Sequence, residues 1–147
     1  MTPNSQKPFL IGITVLVAAA FIGLVDAVYL SANHYMGGLP SCTALEGCDE
    51  VASSDYATIG PIPVALLGAL FYMTMLISGF LWLDIRKSYI LNLLPYVTVP
   101  AFLFSGWLVY LMNSVIEAWC LYCLISAGTT TLIMGVSVWM RLKLSRT

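Results

Sequence analysis

Residues 63–83 read PVALLGALFYMTMLISGFLWL, a run without a single charged side chain. An α-helix rises about 1.5 Å per residue, so roughly 20 apolar residues are needed to cross the ~30 Å hydrocarbon layer of a bilayer. The run therefore predicts a membrane-spanning helix. Stretches of the same character lie at 9–31, 88–112 and 115–140. The fold class that follows is an all-α integral membrane protein, a bundle of four transmembrane helices forming one domain over 1–147. The first stretch runs past the ~7–15-residue apolar region of a secretory signal, so it is expected to be a retained helix.

Composition agrees. A hydrophobic fraction of 60% and a charged fraction of 9% lie far outside the globular range. A net charge of -1, with no basic cluster and no glycine-rich phosphate loop, excludes nucleic-acid and nucleotide binding. Four crossings put both termini on one side. All six basic residues, Lys7, Arg86, Lys87, Arg141, Lys143 and Arg146, fall on that side, which the positive-inside bias makes cytoplasmic. Glu46, Asp49, Glu50 and Asp55 fall in the outer loop and Glu117 near the other outer connection, leaving Asp84 inside.

The outer loop, about 32–62, carries Gly37, Gly38, Pro40, Gly47, Gly60 and Pro61, and Pro63 suits the first turn of the next helix. It is longer than a connection requires, which marks it as an active-site lid or a docking segment. Positions 48–57 are expected to form a short helix. The inner connection at 84–87 reads as tight and the outer one at Asn113 and Ser114 as tighter still, with Ser114 and Glu117 forming a capping box for the fourth helix. Pro95 and Pro100 should bend the third.

The chemistry lies in four cysteines. Cys42 and Cys48 are in the outer loop; Cys120 and Cys123 form a C-x-x-C near the outer end of the fourth helix. With Ser114 as cap, Cys120 and Cys123 would occupy the second and third turns on one face, Cys123 about 4.5 Å deeper at 1.5 Å per residue. A mobile pair beside a membrane-embedded pair suits a relay between a water-borne dithiol and a lipid-soluble acceptor, because exchange proceeds through mixed disulfides. Two other readings stand beside it. Four cysteines can hold structural zinc, although C-x5-C is not a common zinc spacing. The loop pair can also be a structural disulfide, with the helix pair inert small hydrophobes, in a non-enzymatic membrane module.

Asp26 lies about 8 Å inward from the outer end of the first helix at helical rise. A hydrogen bond at a helix interface, or snorkelling to the loop, is the preferred reading, with proton donation during quinone reduction the alternative. Tyr35, Tyr56, Trp119 and Tyr122 are expected in an outer aromatic belt, and His34 at the interface or in solvent.

Together the run Cys42 to Ser54, then Gly60-Pro61-Ile62-Pro63-Val64, then Cys120-Leu121-Tyr122-Cys123, resembles the vitamin K epoxide reductase family, particularly its prokaryotic members. The resemblance covers nearly the whole chain. It implies a four-helix bundle around a quinone of the menaquinone, ubiquinone or vitamin K type, capped by the outer loop, with no metal. It implies that Cys42 exchanges with a separate thioredoxin-fold, DsbA-like partner, since no fused thioredoxin-like domain is seen in the sequence. Cys48 then attacks Cys120, leaving Cys123 as the thiolate beside the quinone, and the Ser54 hydroxyl aids catalysis or quinone binding. The implied setting is a bacterial inner membrane, with both cysteine pairs at the periplasmic face and disulfide bond formation as the outcome. Animal enzymes that recycle vitamin K have a Tyr where this chain has Ala127 and an Asn where Val64 stands, so the resemblance does not carry epoxide reduction. A DsbB-type oxidase also has four helices and two cysteine pairs, but its C-x-x-C lies near the first outer loop, unlike the order here.

Overall fold

A computed structural model describes residues 3–38, 40, 42 and 47–146. Glu46 and the rest of positions 43–46, between the loop cysteines, lie outside the described residues. Four helices are long and apolar enough to cross a membrane: α1 (Pro3–Met36), α3 (Val64–Ile85), α4 (Ser88–Leu111) and α5 (Leu121–Ser145). The short α2 (Cys48–Ser53) lies in the outer loop. The chain is thus an all-α, multi-pass integral membrane protein.

At about 1.5 Å per residue, the 34 residues of α1 span about 50 Å, more than a bilayer core requires. Its last turn leads into the outer loop. Gly37, at φ 68°, stops it: the Gly38 N–H donates to Asn33 O at 3.0 Å and the Gly37 N–H to His34 O at 3.4 Å, the two bonds of a Schellman stop. The expected helix over 48–57 is two pieces. α2 ends at Ser53, and after an extended Ser54 a 3-10 turn covers Asp55–Ala57. A two-stranded hairpin, β1 (Thr58–Ile59) with β2 (Ile62–Pro63), then leads into α3.

α1 packs against both α3 and α5, and α4 packs on α5. Lipid gives helices no hydrophobic reason to associate, so the seams rely on close packing and hydrogen bonds. On α1 the buried faces of Ala19, Gly23 and Ala27 recur every fourth residue. The Tyr72 ring of α3 lies flat in the notch at Gly23, where a methyl group would overlap it. Beyond the notch the Tyr72 hydroxyl meets Ser126 O and Ser126 Oγ at 2.8 Å, and Thr129 Oγ1 and Thr130 Oγ1 at 2.9 Å. One proton and two lone pairs make at most three of those bonds at a time. The outward faces stay apolar for lipid, with Phe21, Val25, Ile77, Phe80, Leu103 and Leu132 exposed.

The basic residues gather at one end. Arg86, in the left-handed stop between α3 and α4, reaches back to Gln6 near the start of α1 at 2.7 Å. α4 is continuous through Pro95 and Pro100.

The outer connection after α4 overturns the expected capping box. Met112–Ile116 continue as a π-helical turn, Glu117 turns left-handed at φ 54°, and α5 begins at Leu121 rather than near 115. Ser114 caps nothing, because its backbone is still helical and the break comes three residues later. Ala118 and Cys120 turn inward there and are buried. Tertiary contact decides this break, as a capping pattern in the sequence cannot.

Gly23→Val should destabilise the bundle by about 1–3 kcal/mol through overpacking at the α1–α3 seam. Tyr72→Phe should cost roughly 0.6 kcal/mol, up to ~1.7, the range of hydrogen bonds between membrane helices. Reversible unfolding in mixed micelles measures both; a Gly23→Val protein as stable as wild type would contradict the seam.

Candidate functional site

The four cysteines meet at the end of the bundle away from the basic residues. Cys48 opens α2 and is buried, and Cys120 is buried at 1% exposure, both in an apolar cluster with Met112. Cys42, Cys123, Val51 and Val109 pack around that cluster. Cys42 and Cys48 are joined in a disulfide with their Cα atoms 5.9 Å apart, while Cys120 and Cys123 are free thiols. The glycine before Cys48 makes the approach possible: a Cβ on Gly47 would lie 2.7 Å from Trp119 N and 2.9 Å from Trp119 O. The loop backbone thus rests on the backbone next to Cys120.

Cys120 is not in the second turn of its helix, as expected, but is the N-cap residue of α5, with Cys123 in the first turn. Its Sγ accepts the Cys123 N–H at 3.3 Å, the role a Ser or Asp oxygen fills at other helix starts. A hydrogen bond from the Cys123 thiol, helped by the N–H groups of Cys123 and Tyr122, holds the Cys120 thiol below the usual thiol range. Burial and the nearby Asp26 carboxyl oppose this without overcoming it. These hydrogen bonds stabilise a thiolate at Cys120.

A cavity of about 730 Å³ opens beneath the loop, within the range of small-molecule sites. Phe71, Phe104, Leu108 and Val109 supply apolar wall, and both free thiols, Ser54, Tyr72, Ser105, Ser126 and Thr130 supply polar groups. Ser54 donates its hydroxyl to Val51 O at 2.7 Å, so its proton is engaged and its lone pairs are free. Among the described residues no group of three His, Cys, Asp or Glu is arranged to hold a metal ion.

Asp26 also lines the cavity, 7% exposed, and among the described residues neither carboxyl oxygen has a hydrogen-bond partner. Among the described residues the interface hydrogen bond expected for it is not made, and its carboxyl faces the cavity beneath the loop. Of the expected aromatic belt, Tyr35, Tyr56 and Trp119 are exposed, but Tyr122 packs against Tyr29 with ring centroids 5.0 Å apart. His34 is exposed at the cavity mouth. Tyr72, Ser105, Ser126 and Thr130 were not foreseen. One signal was available: hydroxyl residues spaced at 126, 129 and 130 form a polar stripe on one face of an otherwise apolar helix.

The model of the vitamin K epoxide reductase family matches residues 14–138 of the 147-residue chain, a span that takes in all four cysteines, the outer loop and most of every membrane helix. No curated protein matches the chain. A family match over this much of the sequence, on a bundle of four membrane helices that gathers both cysteine pairs, makes the protein a cysteine-based membrane oxidoreductase, a member of the vitamin K epoxide reductase family.

Proposed function

We propose that the protein is a thiol:quinone oxidoreductase that reoxidises a thioredoxin-fold, DsbA-like partner and thereby supports disulfide formation in exported proteins. Two electrons and two protons pass from the partner's dithiol to the quinone, which leaves as the quinol while the partner leaves as a disulfide. One observation carries this reading: Cys42, Cys48, Cys120 and Cys123 share one cluster, and the free pair borders a cavity large enough for a substituted aromatic ring. The apolar wall suits such a ring, and the Ser105, Ser126, Thr130 and Ser54 hydroxyls could bond its two carbonyl oxygens. For Ser54 this requires its proton to turn away from Val51 O.

In the proposed order, a partner thiolate attacks Cys42 and releases Cys48, which attacks Cys120 and displaces Cys123. The partner's second thiol frees Cys42, and Cys42 then attacks Cys48 and expels Cys120. Thiols of low pKa leave faster, so the hydrogen bonds that lower the Cys120 pKa favour that last step. By the positive-inside bias, the end holding Lys7, Arg86, Lys87, Arg141, Lys143 and Arg146 is cytoplasmic, and the cysteine end faces the periplasm of a bacterial inner membrane.

Cys120→Ala and Cys123→Ala should each abolish quinone reduction by a reduced thioredoxin-fold protein, assayed in proteoliposomes with menaquinone and ubiquinone in parallel. Normal turnover in either variant would end the relay. Cys48→Ala should accumulate a mixed disulfide at Cys42, visible by mass spectrometry, and its absence would refute the order of attack. Gly47→Val should slow transfer between the two pairs by tenfold or more, about 1.4 kcal/mol, while quinone still reoxidises a prereduced Cys120/Cys123 pair at the wild-type rate. Unchanged transfer would show that loop docking on Trp119 is dispensable.

A further inference from the structure

The group in this cavity that the thiol relay leaves unused is Asp26. It is more than nine-tenths buried, lines the same cavity as Cys120 and Cys123, and has no hydrogen-bond partner on either oxygen. Among the described residues no lysine or arginine lines that cavity, and the one imidazole there, His34, is exposed at its mouth. A structural carboxyl in a membrane helix is ordinarily satisfied by a neighbouring helix or by water at the interface. Among the described residues no side chain or backbone group bonds Asp26, and its carboxyl faces the cavity. It faces the same space as the two sulfurs, so it is placed to exchange a proton with them or with a molecule in the cavity.

We propose that Asp26 is the proton donor for quinone reduction, delivering one of the two protons that the quinol requires and recovering it when the helix disulfide is next reduced. The inference rests on the thiol:quinone reading. The reduced Cys120/Cys123 pair holds one proton between its two sulfurs and Asp26 holds a second. As the pair closes to a disulfide, two electrons leave the sulfurs, and the pair's proton and the Asp26 proton go to the two carbonyl oxygens. Asp26 is left as a carboxylate, and the net charge of the site is unchanged. When Cys48 next reopens the Cys120–Cys123 disulfide, the partner's dithiol that drives the exchange brings two protons. One stays with the helix pair and one returns to Asp26. The assignment does not depend on which sulfur carries the negative charge.

The test uses the full chain in lipid nanodiscs, reduced with dithiothreitol, freed of reductant and mixed with decylubiquinone. For Asp26→Asn, single-turnover quinol formation should fall by about 100-fold or more, the lower end of general acid catalysis, and Asp26→Glu should recover part of it. Dithiothreitol reduction of the Cys42–Cys48 disulfide should be unchanged in both variants, which separates a lost proton donor from a damaged fold. An independent readout needs no quinone. The infrared difference spectrum between the disulfide and dithiol forms should show a carboxylic acid band appearing on reduction, absent in Asp26→Asn and shifted in Asp26→Glu. Wild-type rates in Asp26→Asn, or a difference spectrum without a carboxyl signal, would overturn the assignment while leaving the relay intact. Wild-type protein that decylubiquinone cannot reoxidise would overturn the functional reading itself, and this inference with it.

Discussion

The site depends on the interruption between Ile116 and Leu121. Had the outer end of α5 begun at Ser114, Cys120 and Cys123 would both be ordinary side chains on a continuous helix, with no backbone donor aimed at either sulfur. Instead Glu117 turns the chain left-handed, Ala118 and Cys120 fold inward, and the helix restarts with a cysteine as its cap. The first-turn N–H groups that a helix leaves unsatisfied then point at Cys120 Sγ. The same interruption exposes the Trp119 backbone on which Gly47 rests, so one break both tunes a thiol and positions the loop disulfide beside it.

Polarity in this protein runs opposite to that of a soluble domain. The lipid-facing surface is apolar, and hydroxyls, thiols and the buried Asp26 turn inward around the cavity. This arrangement is economical where water is absent, because polar groups in hydrocarbon must find partners within the protein. Tyr72 serves both requirements. Its ring fills the notch at Gly23 and its hydroxyl ties α3 to α5 at the cavity wall. Asp26 departs from the rule, as do Trp82 Nε1 and Thr98 Oγ1, and of these three residues only Asp26 lines the cavity.

Much of the fold could be read directly, because a bilayer imposes a simple requirement: about 20 apolar residues for each crossing. The run 63–83 agrees closely with α3 at Val64–Ile85, and Gly37 and Gly38 mark where α1 stops. Boundaries failed where hydropathy is silent. α1 continues past 31 to Met36, through Asn33 and His34, which hydropathy alone assigns to the loop. The Ser114 capping pattern was a true local preference defeated by tertiary packing, since burying Ala118 and Cys120 against the loop outweighs a cap worth about 1 kcal/mol.

By itself the sequence determined how many times the chain crosses the membrane, which end carries the positive charge, and that four cysteines come in two pairs, because these follow from hydropathy, charge and spacing along one dimension. Only the tertiary structure decided that α5 starts on Cys120, that Tyr72 sits in the Gly23 notch, and that Asp26 faces a cavity with no partner. Those features depend on which faces of separate helices meet, and contacts between segments far apart in the chain leave no periodic mark within either segment.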